Sequence, residues 1–229
     1  MDKTRFGGIQ YENDETKPVV YEQLLDHLGT SFDKHTDLKE QLRLTVASEL
    51  MDHMIAGTEA QGWSLTYIFH QLSQHPEFQS ALRRELLSLS PKLTYPSPSS
   101  AGDQKYHHPN GNIKLPSFHA IDALPLLEAI ILETLRLYPA VPGSQPRVTP
   151  AGSPLSICGY NNFPSGVRIS AQAYSLHRNE DIFPDPEAWR PRRWINTNKK
   201  ERDEMIRWFW TFGSGGRMCS GNHLAMLGQ

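Results

Sequence analysis

From about Leu38 to Leu72 no proline interrupts the chain, and Leu42, Val46 and Leu50 recur at i, i+4 and i+8. The pattern predicts one helix spanning roughly 50 Å at 1.5 Å per residue, long enough to cross a whole core. Within it, the stretch Met54 to Gly62 holds Gly57 and Gly62, each lowering helix stability by about 1 kcal/mol. Such a stretch is either a kink or a place where a ligand lies against the helix backbone. A second helix is expected from about Pro76, suited to a first helical turn, to Leu89, with Phe78, Leu82, Leu86 and Leu89 on one face. Asp122 to Tyr138 is the most apolar segment. Leucines, isoleucines and Ala129 point in nearly every direction, which marks a buried helix, and Pro139 and Pro142 end it.

Beyond that helix the periodicity changes. Leu155–Tyr160 and Val167–Ser170 flank Asn161-Asn162-Phe163-Pro164-Ser165-Gly166, which reads as a hairpin with Cys158 inside a strand as a core residue. Ala171 to His177 suggests a short helix. Phe183 to Trp194 is an irregular stretch rich in proline and aromatics, and Lys199 to Arg207 is a charged, exposed segment. Pro91 to Pro116 carries five prolines and His107-His108, and reads as an exposed polar loop. Tyr21 to Leu28 suggests a short helix inside a polar N-terminal segment, residues 1–37. The remainder, 38–229, is one partial domain, mainly α with a small β region.

Two features carry chemistry. Glu133 and Arg136 lie three residues apart on an apolar helix, where a buried charge must be paired and hydrogen-bonded, so they form an internal pair. The second is Phe212-Gly213-Ser214-Gly215-Gly216-Arg217-Met218-Cys219-Ser220-Gly221, preceded by Trp208-Phe209-Trp210. Glycines let a backbone approach a flat object closely, and a cysteine between such a loop and a helix is favoured as thiolate. Taken alone, the stretch allows a buried structural cysteine or a soft-metal ligand. A dinucleotide phosphate loop is excluded, because the sixth residue from Gly213 is Met218 where that motif needs glycine.

Composition changes this picture little. With 229 residues and a formal net charge of −2, nothing attracts nucleic acid or an anionic membrane surface. Two cysteines make no disulfide framework, which fits a reducing, intracellular setting. Met1 to Arg5 lacks the apolar core of a signal peptide, and no apolar run reaches the ~18–20 residues of a membrane span.

The spacing F-x-x-G-x-R-x-C-x-G from Phe212 to Gly221 resembles the haem-binding signature of the cytochrome P450 family. Other motifs follow that family's order. Ala56-Gly57-Thr58-Glu59 resembles the bend of its long central helix, Glu133-Thr134-Leu135-Arg136 its E-x-x-R helix, and Pro191-Arg192-Arg193-Trp194 its meander motif. The resemblance covers residue 38 to the end and implies the C-terminal, haem-binding half of the fold. By that resemblance Cys219 is the axial ligand of haem b, and Arg147 and Arg217 pair with its propionates. Phe212 and Gly221 border the haem, and Arg193 completes a structural network with Glu133 and Arg136. Glu59, Ala60 and Ser64 lie on the oxygen side. The implied chemistry is monooxygenation of a small apolar substrate, possible in secondary metabolism, with electrons from NADPH through a reductase. Full-length members sit on the cytoplasmic face of the endoplasmic reticulum.

Departures from the family pattern carry their own expectations. Ala60 stands where a threonine usually helps pass protons to dioxygen. Ser64, one turn on and on the same face, is expected to take over that relay with Glu59 and a water or a substrate hydroxyl. Ser220 replaces an apolar residue beside the thiolate, Arg192 replaces a glutamate, and Gly228 stands where an acid is common. The N-terminal half of the family fold is expected to be missing. Two other functions follow from these departures: an isomerase or dehydratase that needs no oxygen, and a non-catalytic fragment.

Overall fold

The computed structural model describes residues 18–29, 36–91, 115–152 and 155–228. His107 and His108 lie outside these residues. The chain divides into two compact units, residues 1–59 and 60–229, with the boundary inside one helix. The first unit holds α1 (Val19–Gly29) and the leading part of α2 (Thr36–Gln74). Leu42 and Val46 are buried there, while Met51, Met54 and Ile55 are exposed. Helical structure runs unbroken through Gly57 and Gly62, and nothing would lie within 4 Å of a Cβ at either position.

The second unit is built around α5 (Pro125–Leu137). Every residue from Ala129 to Leu137 is buried, as the all-round apolar pattern requires. The helix expected from Asp122 begins three residues later, at Pro125, behind a separate short helix. α4 (Phe118–Asp122) closes before Pro125, which opens α5 at a position where a missing N–H costs nothing. α5 has no side-chain cap of its own at Leu124. Glu85 of α3 (Pro76–Leu87) supplies one: its two carboxylate oxygens accept the Leu126 and Leu127 amides, both at 2.9 Å. A carboxylate at a helix N-terminus satisfies orphan donors and complements the dipole.

Two apolar clusters meet along α5. One gathers Ile68, Leu72, Ile130, Ile131, Leu135, Leu137 and Trp189. The other gathers Ala129, Leu132, Phe183, Trp194 and Met205. α7 (Lys199–Trp208) sends Met205 into the second cluster while most of its charged residues face solvent, so the segment read as charged and exposed is an amphipathic helix.

The β region differs from the sequence expectation. β1 (Ser144–Val148) pairs antiparallel with β4 (Arg168–Gln172), and β2 (Leu155–Ile157) pairs with β3 (Tyr160–Phe163). The hairpin closes early, through Cys158 and Gly159, whose φ values of 51° and 83° give the two positive dihedrals of a tight hairpin turn. Asn161, Asn162 and Phe163, expected in a turn, therefore become strand. Cys158, expected as a core strand residue, sits exposed at the turn. A helix of four residues, α6 (Ala173–Leu176), follows β4. Among the described residues no helix is long and apolar enough to cross a membrane.

Replacing Glu85 with alanine removes the only side-chain cap on the N-terminus of α5 among the described residues. Urea denaturation is expected to show a loss of about 1–2 kcal/mol, within the range of cap removals.

Candidate functional site

Beneath the site lies a buried charge network. Glu133 and Arg136 are both 0% exposed. Arg136 donates Nε to Glu133 Oε2 at 3.0 Å and Nη2 to Oε1 at 2.8 Å, a bidentate pair. Its remaining donors reach the carbonyls of His177 (2.8 Å), Pro186 (2.7 Å) and Ala188 (3.2 Å). All five guanidinium N–H groups are thus occupied. Glu133 also accepts Arg193 Nε (3.0 Å), Trp194 Nε1 (2.9 Å) and the Arg190 amide (2.8 Å). Burial pushes the Glu133 carboxyl up. The hydrogen bonds and charge of Arg136, the charge of Arg193 and the Arg190 amide outweigh it and hold the group below its usual range.

Arg193 is brought to the pair by a 3₁₀ turn, Pro191–Trp194. Its other nitrogens bind the carbonyls of Pro184, Asp185 and Ala188. The same turn buries Trp194 and leaves Arg192 outside, 5.6 Å over the Phe78 ring. A cation over an aromatic face is what Arg192 contributes at a position where the family prefers an acid.

The cysteine loop follows α7. Thr211 Oγ1 donates to the Leu135 carbonyl (3.1 Å), and the Trp210 amide donates to His177 Nε2 (2.7 Å). Phe212 is half-buried against the first cluster. Gly213 and Gly215 have φ of 68° and 70°, a region that disfavours side chains. The Cys219 amide donates to the Phe212 carbonyl (2.8 Å), which closes the loop around a short 3₁₀ turn, Gly215–Arg217. Cys219 is a free, exposed thiol, and Gly221 lies beside its Sγ, just ahead of α8 (Asn222–Gly228). A Cβ at Gly228 would meet the amide end of the Gln61 side chain, so α8 ends against α2, and a larger residue there would need Gln61 to move.

Arg147 and Arg217, distant in sequence, line one recess of about 710 Å³ together with Ser144, Gln145, Pro146, Val148 and Arg168. Among the described residues the Arg147 guanidinium donates only to its neighbour's carbonyl, Pro146 O, at 2.9 Å. None of the three arginines takes part in an ion pair among the described residues. Unpaired guanidiniums at a shared recess, next to a loop that exposes a thiol, fit a flat dianionic group with one axial thiolate. Haem meets that description; Cys219 would hold its iron, and Arg147 and Arg217 would face its carboxylates.

The other sequence candidates lie in α2. Ser64 is buried and donates Oγ to the Ala60 carbonyl at 2.9 Å; Ala60 is half-buried. Glu59 belongs to the first unit and is exposed.

One residue escaped the sequence reading. His177 is completely buried and lies between Arg136 and the cysteine loop. Its Nδ1 is 2.8 Å from the Arg136 carbonyl, and its Nε2 receives the Trp210 amide. A carbonyl only accepts and an amide only donates, so the ring is neutral with its proton on Nδ1. Burial first, then the charges of Arg136 and Arg178, push the imidazole down to about 4, against the opposing pull of the Arg136 carbonyl and Glu133. No spacing rule points to this contact, because Arg136 and His177 lie 41 residues apart.

Comparison with known proteins agrees with the motifs. The sequence model of the family described as Cytochrome P450 matches residues 19–228. The cytochrome P450 monooxygenase orf2 of Aspergillus niger is 30% identical over 219 residues, 96% of this chain and 37% of the relative. The cytochrome P450 monooxygenase ankB of Aspergillus thermomutatus is 33% identical over 179 residues, 78% of this chain and 30% of the relative. A protein of Claviceps fusiformis named inactive cytochrome P450 monooxygenase cloA is 30% identical over 196 residues, 85% of this chain and 34% of the relative. The chain belongs to the cytochrome P450 family, with a mainly α fold and a small β region. It spans about a third of the length of these curated relatives.

Glu133→Gln removes the charge that holds two arginines. Denaturant unfolding is expected to show a loss of about 3–5 kcal/mol, the usual cost of unpairing a buried ion. His177 gives the fold an acid limit. The folded ring stays neutral down to about pH 4, whereas the unfolded ring takes a proton near the ordinary imidazole value of 6.5. The stability it confers is complete above pH 6.5 and falls as pH drops from there toward 4, by up to about 1.4 kcal/mol per unit. Unfolding curves measured at stepped pH are expected to show this slope in the wild type and not in His177→Gln.

Proposed function

We propose that this chain is the haem-binding part of a cytochrome P450 monooxygenase that inserts one atom of dioxygen into a small apolar molecule in secondary metabolism. The observation that carries this reading is the free thiol of Cys219 on a loop tied to the buried Glu133–Arg136 pair, beside a recess lined by Arg147 and Arg217. When bound through a thiolate, haem supplies the activation of dioxygen. The chain's own residues hold and tune that group. Cys219 ligates, the loop amides orient the sulfur, and Arg147 and Arg217 neutralise the carboxylates by charge-assisted hydrogen bonds. Phe212 and Gly221 border the ring. NADPH provides electrons through a reductase, in an intracellular setting.

On the oxygen side, Ser64 is the hydroxyl one helical turn from the alanine that replaces the family's threonine, and on the same helix face. Its proton is committed to the Ala60 carbonyl, so it serves as an acceptor for a water or a substrate hydroxyl rather than as a free donor. Ala60 also supports a second reading, a haem-thiolate isomerase or dehydratase without need of oxygen. Product formation that requires both oxygen and NADPH favours the monooxygenase; turnover without them favours the isomerase.

The deciding measurement is the absorbance spectrum of the ferrous–CO complex of the purified chain. A red-shifted thiolate Soret band is expected, lost in Cys219→Ser with the fold retained. A chain that takes up no haem, or a band indifferent to that substitution, would sink the assignment.

A further inference from the structure

We propose that His177 is the positioning residue that transmits the rigidity of the Glu133–Arg136 network to the cysteine loop and so sets where Cys219 presents its sulfur. The contact with Arg136 runs in both directions. Arg136 Nη1 donates to the His177 carbonyl at 2.8 Å, and His177 Nδ1 donates back to the Arg136 carbonyl at 2.8 Å. The far nitrogen, Nε2, accepts the Trp210 amide at 2.7 Å. The ring stacks on Phe209, centroids 5.5 Å apart and planes 14° from parallel, and meets Phe183 edge-on.

The Trp210 amide needs such a partner. α7 stops at Trp208, and Phe209, with φ −74° and ψ 98°, turns the chain out of the helix. The next amide has therefore lost its helical acceptor at a half-buried position, where an unmade bond is expensive. From Trp210 the hydrogen bonds continue to the cysteine. The Gly213 amide donates to the Trp210 carbonyl at 3.1 Å, and the Cys219 amide donates to the Phe212 carbonyl at 2.8 Å. Thr211 gives the loop one further tie to α5, to the Leu135 carbonyl. His177 is the tie that binds the charged network itself, and it does so through a ring with a single tautomer. A side chain able to donate at one end and accept at the other, at that span and in an apolar stack, is what the position selects.

The consequence for the thiolate rests on the function proposed above; the coupling to the loop does not. Three variants separate the two bonds. His177→Gln places an acceptor oxygen at about the distance of Nε2 and keeps the Trp210 bond. His177→Asn reaches only as far as Nδ1, keeping the Arg136 bond and losing the Trp210 bond. His177→Phe keeps the stack and loses both. Amide hydrogen exchange of the haem-free chain is the first readout. Exchange of residues 209–219 is expected to rise roughly tenfold or more in the Asn and Phe variants and to stay near wild type in Gln. The second readout is the ferrous–CO spectrum at equal haem content, in which the Asn and Phe variants are expected to lose most of the thiolate band and Gln to keep it.

Unchanged loop exchange in His177→Asn would overturn the proposal. So would a Gln variant as loose as Phe, or faster exchange spread evenly over the whole second unit, the sign of a residue that merely stabilises the fold. If His177→Phe does not fold, the Gln and Asn pair decides. Failure of the wild type to bind haem would defeat the proposed function and leave the exchange result to stand on its own.

Discussion

A carboxylate with no solvent contact governs the second unit. Glu133 is stable as an anion only because two guanidiniums, an indole and a backbone amide converge on its two oxygens. Taking a carboxylate out of water costs several kcal/mol, and only a complete set of partners offsets that. Those partners come from two separate stretches, α5 and the segment from Arg190 to Trp194, and Arg136 ties in a third through the His177 carbonyl. Each stretch is therefore held in one place, because displacing any of them leaves a buried charge unpaired. The network contributes specificity more than stability: an apolar replacement of the same volume can match its energy, but not its demand for one arrangement.

Much of the surrounding architecture follows from that demand. The carbonyls of His177, Pro186 and Ala188, which an irregular proline-rich segment cannot satisfy within itself, find their donors on Arg136. Trp189 turns its indole to Thr134, and Trp194 turns its own to Glu133, so each aromatic that seals the core also hydrogen-bonds to α5. The cysteine loop is then laid over the C-terminal end of α5 by Thr211 and His177. A loop of glycines has little stiffness of its own. Its geometry is borrowed from the helix beneath it.

The contrast between inner and outer arginines separates structure from function. Arg136 spends all its donors within the core, and Arg193 nearly all of its own. Arg147 and Arg217 stand exposed at the recess with no carboxylate among the described residues. A protein of net charge −2 has acids enough to pair them. Their being left open beside an accessible thiol is what the proposed haem site rests on.

The order of motifs, the buried helix and the cysteine with its glycines were legible in the chain itself, because each depends on residues within about ten positions of one another. Helical periodicity, the three-residue spacing of Glu133 and Arg136, and the need of a glycine loop for positive φ are local physics. What the chain did not disclose depends on residues far apart. Nothing in the spacing distinguished Cys158 as a turn residue from Cys158 as a core residue, since the register of a hairpin is chosen by which pair accepts positive φ. Nor did it show that Glu85 caps α5, or that the helix begins at Pro125 behind a separate short one. Above all it gave no hint of His177. That imidazole is defined by what lies at its two ends, a carbonyl and an amide, each more than thirty residues away. Only the folded chain brings both within 3 Å of one ring, and so decides its tautomer, its neutrality and its hold on the loop that carries Cys219.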